Sequence, residues 1–422
     1  MNLEKLKIIL KSHYIAAFFL IALASALLYL TVDNNGVIVR EEESQQENLA
    51  ALLKDRETTK NRDDDVVAAA NGTRCNLFSG KWIYDDVSRP LYDEERCSFM
   101  LGDYACKKYG RKDSEYQKWR WQPHQCDLPR FNGTALLEKI RGKRVVFVGD
   151  SLNKNQWTSM LCLIEYSLNQ STNKSVIRYD NLFVLEATEY NATVEFYWSP
   201  LLVESNCDDP DNHYSIRDRI IKITSIEKHA RHWTNADILI FDAFMWWLEP
   251  TMTLLWGSFG SSDAIYKRVK MKLRRYEMAL TTWSDWLEVN IDRIKTKLFF
   301  MSLSPYHFYG ETWEEGYNCY NETQPILKKD YWGISTDREM MHVVESILEK
   351  MEMRGLNITY LNITKLSDYR KDSHPSIYRK FQHPRSEEQL ANPTSYSDCV
   401  HWCLPGVPDV WNEILYSYIM NS

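Results

Sequence analysis

The sequence has no basic excess. Its 51 Lys and Arg are outnumbered by 58 Asp and Glu, for a formal net charge of −7, and a chain so balanced offers no broad field to a nucleic-acid backbone. A glycine-rich phosphate loop, a nucleic-acid-binding motif and an internal repeat are all missing. Close C-x2-C pairs are missing too, so Cys75, Cys97, Cys106 and Cys126 lack the usual spacing of a zinc site, the rival reading of that segment. None of the nine cysteines lies before Arg74. What is present is length and aromatic mass. At 422 residues the chain fits one large α/β domain with an appended module. Its 15 Trp and 25 Tyr suit a large core and also stacking on sugar rings.

From Tyr14 to Val32 no residue is formally charged, a length that crosses a bilayer as a helix. Lys5, Lys7 and Lys11 precede it, while Asp33 and Glu41, Glu42 and Glu43 follow, so the positive flank stays cytosolic and the rest enters the lumen. Ala22-Leu23-Ala24 and Ala24-Ser25-Ala26 resemble signal-peptidase sites, the rival reading. The apolar run continues through Leu27, Leu28 and Leu30, beyond a normal signal core, which favours an uncleaved anchor. Residues 1–13 then form a cytoplasmic tail, 14–32 the anchor and 33–74 a polar stem with room for a short helix from Glu47 to Arg56. The cysteines agree with an oxidising lumen. So do sequons at Asn71, Asn132, Asn169, Asn173, Asn191, Asn321, Asn357 and Asn362. An odd cysteine count leaves one thiol over, and Cys207, alone in "ESNCDDPDN", is the expected one.

Residues 75–130 are cysteine-rich and too few for a large core, so disulfides or packing on the main domain must hold them. From Leu136 onward the pattern alternates between strand and helix. Apolar runs at Val145 to Val148, Ile238 to Phe241 and Leu298 to Met301 read as buried parallel strands, with further strands at Val194 to Trp198 and Ile358 to Leu361. Helices are expected from Asn153 to Leu168, roughly Asp263 to Ile294, and Glu339 to Met353. The fold class is α/β, an open and largely parallel sheet covered on both faces, over residues 131–422.

In such a sheet ligands sit beyond the carboxyl ends of the strands. "VVFVGDSLNKNQW" puts Ser151 there, with Gly149 permitting a tight approach and helix N–H groups able to hold an oxyanion. Ser and Asp are also favoured helix N-caps, so the motif alone leaves a nucleophile and a cap both open. Near the C-terminus, "SDCVHWCLPGVPDVWNEIL" sets Asp398 and His401 three residues apart. A carboxylate on one imidazole nitrogen leaves the other to take a proton from serine. Cys399 and Cys403 flank the pair and could pin the loop. Trp246 and Trp247 follow a strand end and suit either glycan stacking or the core. Arg370 suits an anionic ligand or a salt bridge.

The chain resembles the plant trichome birefringence-like family, whose catalytic domain falls in the wider GDSL/SGNH esterase-like class. The resemblance runs from Cys75 to the C-terminus. It is carried by "CNLFSGKWIYDDVSRPLYDEERCSF", "YQKWRWQPHQCDLPRF", "VVFVGDSLNKNQW", "LSDYRKDSHPSIYR" and "DCVHWCLPGVPDVWNEIL". It implies an SGNH-like three-layer α/β/α domain with a small cysteine-rich N-terminal lobe. It further implies a single-pass type II Golgi membrane protein, working among other glycan-synthesis proteins, that O-acetylates a cell-wall polysaccharide, xylan in the members most alike. Matching positions make Ser151 the nucleophile, His401 the base and Asp398 its orienting partner, with Gly149, Asp150 and Asn155 in the oxyanion motif. His374, in Asp372-Ser373-His374-Pro375, is a competing base, a structural turn residue or a substrate contact. Lys154, a candidate substrate contact, stands where members commonly have Arg, and Asp242 where they often have Asn, so an amide donor is lost there if Asp242 is ionised. The chemistry needs an acetyl donor but no bound cofactor or metal. Acetyl-CoA is one candidate donor, although no CoA-binding motif is recognisable. Water as acceptor would make the same triad an esterase, and a non-catalytic polysaccharide-binding protein is the reading from another class.

Overall fold

The computed structural model describes residues 66–68, 74–168, 175–308, 318–381 and 383–421. The stretch from Tyr14 to Val32 and the expected helix from Glu47 to Arg56 lie outside them. Among the described residues no helix is long and apolar enough to cross a membrane.

A seven-stranded sheet organises the chain. Its order is Thr359–Leu361, Lys297–Met301, Ile238–Asp242, Arg144–Gly149, Ala192–Trp198, Leu182–Ala187 and Val176–Tyr179. The first five run parallel, and the last two are added antiparallel at one edge. The unbroken run Val145 to Val148 has a simple cause. Val145 and Phe147 face one core, Val146 and Val148 the other, and all four are buried. A strand covered on both sides needs apolar residues at every position, each stabilising by about 1.5–3 kcal/mol when fully buried.

Helices Gly133–Lys139, Ser151–Ser167 and Val407–Met420 supply residues to the first core, and Lys272–Asn290 and Arg338–Met353 to the second. The architecture is therefore α/β/α in three layers with a mostly parallel sheet. The expected helix from Asp263 to Ile294 is too long. Ile265–Val269 instead forms a strand paired antiparallel with Met252–Trp256. The helix spans only Lys272–Asn290, where Tyr276, Ala279, Leu280, Trp283 and Leu287 recur on one buried face.

The cysteine-rich segment shares the first core rather than making its own. Gly80–Tyr84 pairs with Trp119–Pro123, and Leu77, Phe78, Tyr92 and Trp121 join the cluster built by the helices. Cys75–Cys126 closes the segment on itself, whereas Cys97–Cys162 and Cys106–Cys403 tie it to the sheet domain. Cys319–Cys399 is the fourth bridge, and Cys207 is the free thiol. That thiol is buried, and burial pushes it up to about 11, which makes it unreactive at neutral pH. Among the sequon asparagines, Asn132, Asn191, Asn321 and Asn357 are exposed, Asn362 is half-buried, and Asn71, Asn169 and Asn173 lie outside the described residues.

Candidate active site

The strand Arg144–Gly149 ends against its neighbour so closely that a Cβ at Gly149 would overlap the Asp242 carbonyl oxygen. This close approach, not an unusual dihedral, demands glycine. Asp150 follows as the helix N-cap, its Oδ1 accepting the Leu152 N–H at 2.8 Å. Such a cap stabilises by about 1 kcal/mol. The capping role thus belongs to Asp150, and Ser151 is the first helical residue. Its hydroxyl is left for another partner, and its own N–H, in the first turn, has no intrahelical acceptor.

That partner is His401. His401 Nε2 lies 2.7 Å from Ser151 Oγ, and His401 Nδ1 lies 2.8 Å from Asp398 Oδ2. A carboxylate only accepts, so Nδ1 carries the ring proton and Nε2 presents its lone pair to the serine hydroxyl. Asp398 Oδ1 accepts the N–H groups of Val400 and His401, both at 3.1 Å, and Arg379 donates to Oδ2. Burial by itself raises the Asp398 carboxyl. The His401 charge and hydrogen bond, with Arg379, outweigh it and hold Asp398 well below the usual carboxylate range. For His401 burial lowers the ring, but Asp398 outweighs that and leaves it above the ordinary imidazole value. The loop is tied down on all sides. Cys399 and Cys403 are both bridged, Ser376 and Asp398 exchange backbone hydrogen bonds at 2.9 and 3.0 Å, and the Tyr104 hydroxyl donates to the Ser151 carbonyl oxygen at 2.9 Å.

This geometry, a serine on a strand-to-helix turn facing a carboxylate-oriented histidine, meets its match in sequence. The model of the GDSL/SGNH-like acyl-esterase family found in Pmr5 and Cas1p matches residues 128–418, and that of the PMR5 N-terminal domain matches residues 73–127. The chain belongs to this acyl-esterase family. It is similar to protein trichome birefringence-like 34 of Arabidopsis thaliana, 55% identical over 356 residues, or 83% of this chain and 86% of the relative. It is also similar to xylan O-acetyltransferase 14 of Oryza sativa subsp. japonica, 47% identical over 377 residues, 84% and 79% of the two chains. Protein trichome birefringence-like 35 of Arabidopsis thaliana is 48% identical over 351 residues, 82% and 76%. Within the acyl-esterase family's match lie Ser151, Asp398 and His401. The N-terminal match contributes Tyr104, Cys106 and Asp103, whose Oδ1 accepts from Arg379 at 3.1 Å, to the same place.

The other expected site residues divide. Asn155 is buried and joins the helix Ser151–Ser167 to the His401 loop. One Nδ2–H donates to the Trp402 carbonyl at 3.2 Å and Oδ1 accepts the Trp402 N–H at 2.7 Å, and the amide carries a second Nδ2–H beyond these two bonds. Arg370 is not exposed to ligand. It is buried and bidentate to Asp372, both bonds at 2.9 Å, and stacks 4.4 Å from the Trp82 ring centroid. Trp247 is fully buried against Tyr276 and belongs to the core. Trp246 is half-buried, with the Arg219 guanidinium 4.1 Å from its centroid and Trp198, the register partner of Gly149, edge-on at 5.6 Å. Lys154 sets its ammonium 4.4 Å from the Phe183 centroid, and burial, then Arg178, lowers it. A cation over an aromatic face suits Lys as well as Arg, so the departure at this position keeps its packing. His374 lies against the backbone of the His401 loop, its Nδ1 2.6 Å from the His401 carbonyl oxygen.

Two features were not foreseen. Arg379 lies inside a motif singled out for resemblance, but nothing in its spacing shows that it completes the Asp398 site. Asp242 is buried, as is Asp150, and Asp242 is the register partner of Gly149. Burial pushes Asp150 up to about 6. Burial, then the Asp150 charge, pushes Asp242 well above the carboxylate range. Both causes favour the neutral form of Asp242, the form able to donate a hydrogen bond. Asp242→Asn, an isosteric neutral swap, is expected to shift the unfolding free energy by less than about 1.5 kcal/mol in a denaturant titration. A loss of several kcal/mol would show instead that the carboxylate is ionised and held by its charge.

Proposed function

We propose that this chain is a polysaccharide O-acetyltransferase that acetylates xylan through a Ser151 acyl-enzyme. The observation that carries the reading is the continuous contact from Asp398 through His401 to Ser151 Oγ, at 2.8 and 2.7 Å. The similarity to xylan O-acetyltransferases supports the acceptor. In the first half, His401 Nε2 takes the Ser151 hydroxyl proton as Oγ attacks the acetyl carbonyl of the donor. The oxyanion is met by the N–H groups of the Ser151 turn, and collapse expels the donor's leaving group with the proton from His401. In the second half, a sugar hydroxyl gives its proton to Nε2 and attacks the acetyl-enzyme. Collapse then breaks the Oγ–acyl bond and returns the proton to Ser151. Asp398 stays ionised throughout and stabilises the imidazolium. Trp246, half-buried beside the strand ends, is the aromatic of the pair suited to stack on the acceptor.

The family description, an acyl-esterase, supports a second reading in which water replaces the sugar. Exclusion of water from the acyl-enzyme separates the two. The expected product from full-length protein in Golgi-enriched membranes, given an acetyl ester or acetyl-CoA and xylo-oligosaccharides, is acetylated oligosaccharide by mass spectrometry. Free acetate as the sole product would favour the esterase. The same preparation tests the proposed Golgi anchor from Tyr14 to Val32, because activity should stay with the membranes after a carbonate wash. Activity in the supernatant would remove the anchor.

A further inference from the structure

His307 and His374 form a buried chain behind the His401 loop. His374 Nδ1 lies 2.6 Å from the His401 carbonyl oxygen, His374 Nε2 lies 2.6 Å from His307 Nδ1, and His307 Nε2 lies 3.0 Å from the Asp368 carbonyl oxygen. Both ends of this chain are carbonyl oxygens, which only accept. The middle contact joins two ring nitrogens. Three hydrogen bonds therefore need three ring protons, and two neutral imidazoles carry only two. In the neutral pair one contact sets lone pair against lone pair, whichever tautomers are chosen. If His374 Nδ1–H and His307 Nδ1–H donate, His307 Nε2 opposes the Asp368 carbonyl. If His307 Nε2–H donates instead, the clash moves to the middle or to the His401 carbonyl.

We propose that the His307–His374 pair is a proton-dependent clamp on the catalytic loop: one proton beyond the neutral pair closes all three contacts and fixes the His401 backbone, and without it one contact opens. The proposal deepens the reading above and rests on His401 being the base, which makes His307 and His374 positioning residues. Charge around the pair is mixed. The buried Asp368 carboxylate has Oδ1 3.8 Å from His307 Nε2, while its Oδ2 accepts from Gly333 N–H at 2.8 Å and Thr336 Oγ1 at 2.9 Å. Asp398 also favours charge on His374. Against it stand Lys371, paired with Glu322 at 3.1 Å, Arg111, which donates to the His374 carbonyl at 3.0 Å, and His401 itself when protonated. The Trp402 ring stacks on His374 with centroids 4.1 Å apart and supports a cation there. Burial lowers both rings, His307 to about 4, so proton uptake falls on the acid side of the ordinary imidazole range. The sign for stability follows. The unfolded histidines bind protons from about pH 6.5 downward and the folded pair binds them later, so the pair withdraws stability as pH falls through that window.

Full-length protein labelled with ring-15N histidine tests the clamp by long-range proton–nitrogen spectra from pH 8 to 4. Expected is a shared, strongly downfield ring proton that grows as pH falls and vanishes in both His307→Gln and His374→Gln. Rings that stay neutral until the protein unfolds, or that protonate independently with no shared proton, overturn the proposal. In the variants the acid loss of thermal stability should flatten, because the lowered ring protonation that causes it is gone. An unchanged pH slope would also overturn it. Phosphonate labelling of Ser151 in the wild type separates the two ideas. If labelling fails, the acyl-enzyme reading falls, while the histidine spectrum still judges the clamp.

Discussion

Ser151→Ala lowers acetyl transfer by about 10⁴-fold or more and leaves the fold in place. The expectation of an intact fold comes from the division of labour at the turn. Asp150, not Ser151, caps the helix, and Gly149 makes the close strand approach, so alanine removes only the hydroxyl that faces His401. That loss of one neutral hydrogen bond is worth about 1 kcal/mol in stability. His401→Ala should cost a similar factor in rate, and the double variant little more, because the residues act as one unit. Asp398→Asn belongs to the same set but also strips Arg379 of a buried charge partner, so it should lose stability as well as rate. The pH profile carries an independent sign. His401 acts as a base only when neutral, and its ring is held above the ordinary imidazole value. The acid limb of kcat/KM should therefore have its midpoint above about 6.5. Rates measured on purified full-length variants decide the matter, and wild-type transfer by Ser151→Ala would sink the acyl-enzyme.

The parts of this site that sequence disclosed are those where residue type and local spacing coincide with chemistry. A four-residue apolar run into Gly149-Asp150-Ser151 needs a doubly covered strand and a tight turn, and both are found. Asp398 and His401 lie three residues apart, so one loop suffices to pair them. What sequence hid depends on partners far along the chain. Arg370 reads equally as a ligand-binding cation or a salt bridge until Asp372 and Tyr116 are seen around it. Asn155 reads only as an oxyanion-motif residue until Trp402 is seen to bond both its amide nitrogen and its oxygen. His374 looks like a rival base until His307, in no recognisable motif, appears beside it. The strand Ile265–Val269 was hidden for a different reason. It lies mostly exposed at an edge, with no buried alternation to mark it off from the helix that follows.

The Cys106–Cys403 bridge should prove to be the disulfide on which catalysis depends most. It joins positions 297 residues apart, and closing so long a loop restricts the unfolded chain by about 6 kcal/mol. Cys75–Cys126, separated by 51 residues, has a loop-closure value of about 4 kcal/mol, so both bridges stabilise the fold substantially. Their positions separate their effects on the site. Cys403 lies two residues beyond His401, and its own N–H donates to the Ser373 carbonyl at 2.9 Å. The next residue, Leu404, donates to the Tyr104 carbonyl at 3.0 Å. Tyr104, two residues before Cys106, reaches the Ser151 carbonyl through its hydroxyl. The bridge thus holds the segment that touches Ser151 to the loop that carries His401. Cys75–Cys126 closes only the N-terminal segment. Cys207 offers no repair by exchange, since its buried thiol yields little thiolate. Paired Cys→Ala variants should therefore both unfold at lower denaturant, while only Cys106→Ala with Cys403→Ala loses kcat, by about 10²-fold if the base shifts by 1 Å. Equal kcat in the two variants would mean that the backbone hydrogen bonds hold the loop unaided.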